Sequence, residues 1–245
     1  SVYMGTLETD TTIVFASLIL IAGLSTVMFP LLYRGGCAVI ANFDIANYVN
    51  LLDTYKPNWH NSSPALLHAI YEYLRVNTVP DGMKRLRYIR TGGAPFPAEM
   101  MRTLEGWLGI PIIPSFGMTE GLAGNACNPI PPGIRKHHTV GVPVHGEAAV
   151  FSDDGEKLAT GEVGELALRS PYLFKGYLNP EDNNPSPFRD GWFMTGDLAK
   201  IDEDGYISIV GRRKEMINSG AMKVLPREVE DTCINHPDVG EACVV

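Results

Sequence analysis

The chain has 245 residues, of which 45% are hydrophobic, a size and composition typical of a globular protein with one large domain or two ordinary ones. Its 28 acidic residues outnumber its 20 basic residues, giving a net charge of -8, and this balance argues against a nucleic-acid partner, whose phosphates are bound by clustered Lys and Arg. The four cysteines form no C-x-x-C pair, which argues against a zinc site or a small disulfide scaffold and fits reduced thiols in a cytoplasmic protein.

A charge-free stretch runs from Thr11 to Tyr33 and is long enough to cross a bilayer as a helix. A membrane anchor is therefore one interpretation. Against it, the stretch opens with β-favouring residues and is interrupted by Gly23 and Pro30. Glu8 and Asp10 precede it, where a signal peptide would carry positive charge. We expect a buried strand followed by a buried helix, and no transmembrane segment.

The predicted fold class is α/β: a layered sheet-and-helix subdomain, then a β subdomain, then the start of a small α+β C-terminal domain. Apolar strand-like runs alternate with amphipathic helical stretches over residues 1–130, the α/β part of a large domain. Gly, Pro and Asp-Gly turns then separate short strands, which indicates a β subdomain of the same domain over residues 131–211.

Residues 212–245 are expected to form a hinge and a truncated C-terminal domain. After a turn at Gly220, Pro226 suits the first turn of a helix and Pro237 ends it. The apolar residues 242–245 then predict a last strand. The chain begins without Met and stops inside that strand, so we expect truncation at both ends.

A short strand that starts at Leu86 ends in a Gly-Gly-Ala-Pro turn at residues 92–95. One interpretation is a tight strand-to-helix turn, since glycine adopts unusual backbone angles and proline fixes the next one. The other is a backbone ledge at the carboxyl edge of a sheet, where a flat base can lie against the main chain. The pattern by itself leaves both open.

A second buried strand ends in Phe-Gly-Met-Thr-Glu at residues 116–120. Phe116 can stack on adenine, Gly117 lets a ligand approach, and Thr119 can donate to a phosphate oxygen. Glu120 can hold Mg²⁺. A strand followed by an ordinary helix that Thr119 caps explains the same residues without any ligand.

Asp197 follows Thr195 and Gly196 at an expected strand end, where a carboxylate can accept both hydroxyls of a ribose. Arg212 is a fixed donor that can reach the same sugar. More simply, Asp197 braces a turn and Arg212 is a solvated charge. Lys214 lies where the sequence pattern changes, so it is either part of a solvated charge run or a hinge between two units.

Together with residues 164–182 (GELALRSPYLFKGYLNPED), these patterns resemble the consecutive core motifs of the adenylate-forming superfamily, which contains acyl-CoA synthetases, adenylation domains and luciferases. The resemblance covers nearly the whole chain, and five motifs in order are far more specific than any one of them. It implies that the adenine site is lined by Gly93, Ala94 and Pro95. It also implies that Phe116, followed by Gly117, takes the place of the family's stacking tyrosine.

The resemblance further assigns roles to the polar residues of the later motifs. Thr119 is expected to bind the α-phosphate, and Glu120 to help hold Mg²⁺. Asp197 is expected to bind the ribose hydroxyls with the assistance of Arg212. Lys214 is expected to be the hinge.

The sequence departs from the family pattern at several points. The family's phosphate loop is expected upstream of Ser1 and its catalytic lysine downstream of Val245. Leu20 stands where the family often has a histidine that gates the acyl site. Glu165 and Gly176 belong to the fifth motif and are expected to be mainly structural.

The implied activity is ATP-dependent conversion of a carboxylic acid into acyl-AMP, with Mg²⁺, followed by transfer to a thiol. The acceptor is coenzyme A or the phosphopantetheine of an acyl or peptidyl carrier protein, and the sequence favours neither. The isolated chain is expected to be inactive without the two missing segments. The alternative is a non-catalytic adenylate-binding or structural homologue, which the leucine at position 20 would suit.

Overall fold

The computed structural model describes residues 7–33, 36–179, 181, 186–219, 222–234, 236, 239 and 242–244. The chain folds as two units, residues 1–145 and residues 146–245. Each unit is built around its own main sheet.

The first unit alternates strands and helices along the chain. Its described elements are β1 (Thr11–Val14), α1 (Ile21–Tyr33), β2 (Cys37–Ile40), α2 (Ile45–Tyr55), β3 (Trp59–Ser62), α3 (Pro64–Val76), β4 (Tyr88–Thr91), α4 (Ala98–Leu108), β5 (Ile112–Phe116), β6 (Ala126–Cys127) and β7 (Val142–Pro143). The strands form one sheet in the order β2-β1-β3-β4-β5-β6-β7. Neighbouring strands from β2 to β5 are parallel, whereas β6 and β7 add antiparallel pairs.

Short polar residues and left-handed residues set the helix ends in this unit. The carboxylate of Asp44 accepts the first free backbone amides of α2, and the hydroxyl of Ser63 accepts the amide of Leu66 in α3. Helix α4 ends at Gly109, which has a φ of 68° and donates its amide to the carbonyl of Glu105. These ends return the chain to the sheet for each parallel strand.

The two faces of the parallel sheet pack in different hydrophobic clusters because consecutive strand residues point in opposite directions. Ile13, Ile89 and Ile112 pack with buried residues of α2, α3 and α4. On the other face, Trp59 stacks on Tyr88 with 5.7 Å between ring centroids. The sheet is therefore buried on both sides, as a parallel sheet requires.

The second unit is mostly antiparallel. Its described elements are β8 (Glu147–Phe151), β9 (Gly164–Arg169), β10 (Phe188–Arg189), β11 (Trp192–Ile201), β12 (Ile207–Arg212), β13 (Ile217–Ser219), β14 (Met222–Val224) and α5 (Pro226–Ile234). Strands β8 to β12 form a five-stranded sheet in which β11 pairs with β9 on one side and with β10 and β12 on the other. Strands β13 and β14 form a separate pair.

The predicted α/β class is confirmed, with a parallel-rich sheet and helices followed by an antiparallel sheet. The strand and the helix expected between Thr11 and Tyr33 are both present, and the strand is largely buried. The expectation that the helix is buried is wrong for its described apolar side chains, since Leu24, Met28 and Leu31 are 40%, 42% and 50% exposed. None of the described helices combines the length and apolar character needed to cross a membrane. The three-part division at residues 130 and 211 stays a prediction.

The C-terminal expectations had mixed outcomes. Pro226 does begin a helix. Gly220 and Pro237 lie outside the described residues. The strand expected at residues 242–245 is wrong for the described positions 242–244, where the amide of Val244 donates to a side-chain oxygen of Glu230 at 3.0 Å rather than to a strand.

Candidate active site

The Gly-Gly-Ala-Pro turn follows β4 directly, at the carboxyl edge of the parallel sheet. A Cβ atom on Gly92 would lie 2.8 Å from the carbonyl oxygen of Ser115. The backbone segments at these two residues are therefore too close for a side chain at position 92. Gly93 has a φ of 88°, and a Cβ built on it would meet nothing within 4 Å. The turn from Gly93 to Pro95 is exposed. It therefore offers bare backbone, with open space beside Gly93, against which a flat group can lie.

Phe116 is the last residue of β5, the strand next to β4. The parallel register aligns Thr91 with Pro114, so the two strands end at the same edge of the sheet. The hydroxyl of Ser115 donates to the carbonyl of Thr91 at 2.9 Å and ties these ends together. Within the first unit, the structure thus brings the glycine turn and the half-buried Phe116 to adjoining positions.

The segment after Phe116 is a tightly folded loop and not the start of an ordinary helix. Thr119–Gly121 form a single 3-10 turn, and Thr119 does not cap it with its side chain. Leu122 and Ala123 then adopt left-handed backbone angles, with φ values of 56° and 66°. The interpretation of Thr119 as the cap of a helix is therefore wrong. Non-glycine residues adopt left-handed angles at a cost that the surrounding contacts must offset.

Asn125 supplies those contacts, and no local sequence pattern points to it. Its side-chain oxygen accepts the amide of Met118 at 3.2 Å, and its side-chain nitrogen donates to the carbonyl of Gly121 at 3.2 Å. The amide of Ala123 closes the loop by donating to the carbonyl of Met118 at 2.9 Å. Because Asn125 is 7% exposed, these bonds are shielded from water.

Thr119 and Glu120 lie on this loop, the former exposed and the latter half-buried. In the part of the chain that the structure describes, no group of three His, Cys, Asp or Glu side chains is placed to hold a metal ion. A Mg²⁺ ion that arrives with a nucleotide needs as little as a single carboxylate from the protein, because phosphates and water supply its other ligands. Glu120 can serve as that single carboxylate.

In the second unit, Asp197 is not at a strand end, and the expectation that it would be is wrong. It lies inside β11, where the register with β9 shifts between Met194 and Leu198. Residues 195–197 therefore stand opposite the single residue Leu166, which makes a bulge. A bulge re-aims side chains within a strand, so it presents the Asp197 carboxylate without ending the strand.

Arg212 pairs with Asp197 across the β11–β12 ladder. Its Nε lies 2.9 Å from Oδ1 of Asp197, whose side chain is 4% exposed while that of Arg212 is 59% exposed. The buried carboxylate is thus oriented by an exposed guanidinium. Lys214 follows in an exposed 3-10 turn, Arg213–Glu215.

The structure thus brings the first two motifs together in the first unit and joins Asp197 to Arg212 in the second unit. Glu165, which the sequence marked as mainly structural, contacts the Asp197 bulge by accepting the amide of Gly196 at 3.1 Å. Gly176 lies between β9 and β10 and is half-buried. Leu20 is 58% exposed just before α1. No described contact of Leu20 takes over the role of a gating histidine.

The sequence matches the family model described as AMP-binding enzyme over residues 1–178. A probable CoA ligase of Humulus lupulus is 33% identical over 239 residues, which are 96% of this chain and 45% of that protein. The oxalate–CoA ligase of Arabidopsis thaliana is 32% identical over 238 residues, which are 96% of this chain and 46% of that one.

A solved structure shows the same fold with nucleotide bound. The O-succinylbenzoate coenzyme A synthetase of Bacillus subtilis, in complex with ATP and magnesium ion, is 28% identical with a TM-score of 0.86, over 98% of this chain and 50% of that one. The chain spans about half the length of the relatives it matches. It belongs to the AMP-binding enzymes, the adenylate-forming superfamily that its motifs resemble.

Proposed function

We propose that the protein activates a carboxylic acid with ATP and transfers the acyl group to the thiol of coenzyme A. In the first step, a carboxylate oxygen of the acid attacks the α-phosphorus of ATP, and the bond to the bridging oxygen breaks to release pyrophosphate. In the second step, the thiol loses its proton and its sulfur attacks the acyl carbon of the acyl-AMP, releasing AMP. The first step turns a poor acyl donor into one with a good leaving group.

The observation that carries the proposal is that the Gly-Gly-Ala-Pro turn and the loop that begins at Phe116 lie side by side at one edge of the parallel sheet. The exposed backbone from Gly93 to Pro95 follows β4, and Phe116 ends β5 beside it. Ligands of open α/β sheets bind at the carboxyl ends of their strands. We assign adenine to this edge, lying against Gly93, Ala94 and Pro95 with the Phe116 ring on its face.

Thr119 and Glu120 are proposed to act on the phosphates. The Thr119 hydroxyl donates to an α-phosphate oxygen, while Glu120 holds the Mg²⁺ that neutralises charge on the phosphates when ATP is bound. Gly117 allows the loop itself to close, because a Cβ at that position would collide with the carbonyl of Ala123. The bonds of Asn125 hold this loop in one conformation before the nucleotide arrives.

Asp197 is proposed to accept the two ribose hydroxyls, with Arg212 orienting its carboxylate. Lys214 is proposed to be the hinge, with residues 212–245 as the beginning of a third unit. An exposed residue just after a strand end suits that role, since its backbone angles can change without disturbing the sheet.

The acceptor and the compartment are also proposals. Coenzyme A is favoured because the two relatives described above are both named as CoA ligases. The phosphopantetheine of a carrier protein is the other thiol of the same chemistry. All four cysteines are free thiols, which suits the reducing cytoplasm.

The test is an ATP–pyrophosphate exchange assay on the natural-length protein with a panel of aliphatic, aryl and dicarboxylic acids. Exchange that depends on one acid class is expected, followed by acyl-CoA formation when coenzyme A is added. Asp197→Asn should raise the KM for ATP by about tenfold or more, since it removes a charge-assisted acceptor.

Three results would decide against parts of the proposal. AMP binding without exchange for any acid would favour a non-catalytic adenylate-binding homologue. Transfer to a carrier protein with none to coenzyme A would replace the acceptor. Unchanged ATP kinetics in Asp197→Asn would remove Asp197 from the ribose site.

A further inference from the structure

Glu165 joins the Asp197 bulge to the segment that leads into Lys214. Its Oε1 accepts the amide of Gly196 at 3.1 Å, and its Oε2 accepts Nη1 of Arg213 at 2.6 Å. The Glu165 side chain is only 11% exposed, although it carries a charge. One carboxylate on β9 therefore bonds two separate segments, the bulge in β11 and the turn that follows β12.

The bulge depends on such outside support. Residues 195–197 face only Leu166 of β9, so the regular ladder cannot bond all of their backbone groups. The hydroxyl of Thr195 donates to the carbonyl of Leu166 at 2.8 Å and accepts the amide of Asp197 at 3.1 Å. The amide of Gly196 is bonded by Glu165.

Arg213 immediately precedes Lys214 in the chain. Its second terminal nitrogen, Nη2, lies 3.0 Å from Oδ1 of Asp153, so the guanidinium spans two carboxylates. Asp153 is 63% exposed and its pair with Arg213 is worth little, whereas Glu165 is shielded and its bonds are the stronger ones. Glu165 therefore holds Arg213 in place at the start of the segment that contains Lys214.

We propose that Glu165 is a positioning residue that couples the ribose-binding carboxylate of Asp197 to the hinge segment through Arg213. The inference rests on the proposed function, which makes Asp197 the ribose ligand and Lys214 the hinge. Loss of the Arg213 ion pair would free the segment before Lys214 and loosen the carboxylate that also bonds the bulge. The backbone of Asp197 would then be more mobile, and its carboxylate would bind the ribose hydroxyls less tightly.

The coupling is tested by comparing AMP with 2′,3′-dideoxy-AMP, which lacks both ribose hydroxyls. Affinities for the two nucleotides are measured on the natural-length protein and on Glu165→Ala, Glu165→Gln and Arg213→Gln. The preference for AMP is expected to fall by about tenfold in Glu165→Ala, which loses both bonds. It should fall by about threefold in Glu165→Gln and Arg213→Gln, because each keeps an acceptor for the amide of Gly196.

Glu147→Gln is the matched control. Glu147 lies on the neighbouring strand β8 and forms a two-pronged ion pair with Arg169, but it contacts neither the bulge nor Arg213. Its AMP preference should equal that of the wild type. An equal loss of affinity for both nucleotides in Glu165→Ala would indicate a damaged fold instead of a misplaced carboxylate, and would overturn the inference. So would an unchanged preference in that variant.

A second measurement separates this inference from the proposed function. If the wild type does not prefer AMP over the dideoxy nucleotide, then Asp197 is not the ribose ligand and the proposed site is wrong. Hydrogen exchange of the Gly196 amide and of residues 213–217 still decides whether the coupling exists. We expect faster exchange in both segments in Arg213→Gln but not in Glu147→Gln. Faster exchange in residues 213–217 alone would show that the two segments are not coupled.

Discussion

At the scale of single residues, a fully buried ionisable pair lies within the core of the first unit. His60 and Tyr48 are both 0% exposed, and the Tyr48 hydroxyl lies 2.9 Å from Nε2 of His60. Nδ1 of His60 lies 3.1 Å from the carbonyl of Asn61. Because a carbonyl only accepts, Nδ1 carries the proton and Nε2 accepts from Tyr48. The neutral imidazole therefore satisfies both neighbours, while an imidazolium would no longer accept the proton of the Tyr48 hydroxyl.

This pair predicts a specific loss of stability in mild acid. Burial lowers the pKa of His60 to about 4, below the value of about 6.5 for an unfolded histidine. The unfolded state then binds the extra proton first, so stability is full above pH 6.5 and declines as the pH falls from 6.5 towards 4. We expect about 2 kcal/mol of loss from this group between pH 7.5 and pH 5. Urea unfolding across that range measures it.

Comparison with a variant isolates the contribution of the buried imidazole. His60→Gln should be less stable at neutral pH but should lose about 2 kcal/mol less than the wild type on acidification. His68→Gln removes an exposed histidine of α3 and should keep the wild-type slope. Identical slopes in the wild type and His60→Gln would show that His60 is not neutral and buried in solution.

At the scale of elements, the loop from Met118 to Asn125 is held in shape by close packing of backbone on backbone. A Cβ on Gly117 would lie 1.9 Å from the carbonyl oxygen of Ala123, which cannot retreat without breaking the bond from its own amide to Met118. Gly117→Ala is expected to cost about 1 to 3 kcal/mol in the free energy of unfolding, the usual range for overpacking. It should also weaken AMP binding. Denaturant unfolding and an AMP titration measure the two effects.

Gly106→Ala is the control for that variant. Gly106 lies exposed in α4, and a Cβ there would meet nothing within 4 Å. Alanine at this position should raise stability by about 0.5 to 1 kcal/mol, because glycine is a poor helix former. If Gly117→Ala matched it in stability and in AMP affinity, the loop would not be closely packed at Gly117.

The elements also show what the sequence could predict. The helices α2 and α3 follow from local patterns, because their apolar residues repeat with the helical period. The strands β4 and β5 follow from short apolar runs that end at turn residues. The bulge at Asp197 does not, since it depends on how many residues of β9 stand opposite. The bonds of Asn125, and the partners of Glu165, which is expected to be structural, cannot be predicted for the same reason. Each of these side chains bonds backbone groups brought close only by folding.

At the scale of the whole molecule, the chain covers about half of each relative described. We expect residues 1–245 alone to bind AMP weakly and to give no detectable ATP–pyrophosphate exchange. Thr119 and Glu120 supply one hydroxyl and one metal ligand, whereas the attack on the α-phosphate needs several preorganised donors and cations. Losing one such donor costs about 10²- to 10³-fold in rate.

The comparison is made between this chain and the natural-length protein under the same conditions, with AMP and ATP titrations on each sample. ATP should bind residues 1–245 little better than AMP does, because this chain is expected to supply few contacts to the β- and γ-phosphates. Robust exchange by residues 1–245 would mean that the groups facing the phosphates lie within this chain and have been assigned wrongly.

The turn after β4 and the ring that ends β5 are separated by a single helix, so both belong to one βαβ unit spanning residues 88–116. During synthesis these residues leave the ribosome within moments of each other, and no residue downstream of β5 is needed to place the Gly-Gly-Ala-Pro turn beside the strand that ends in Phe116. Because the turn and the ring lie on one continuous stretch of sequence, they can also be inherited together. A recombination event with breakpoints on either side of this unit would transfer the turn and the ring as a block, with their spacing already set by α4.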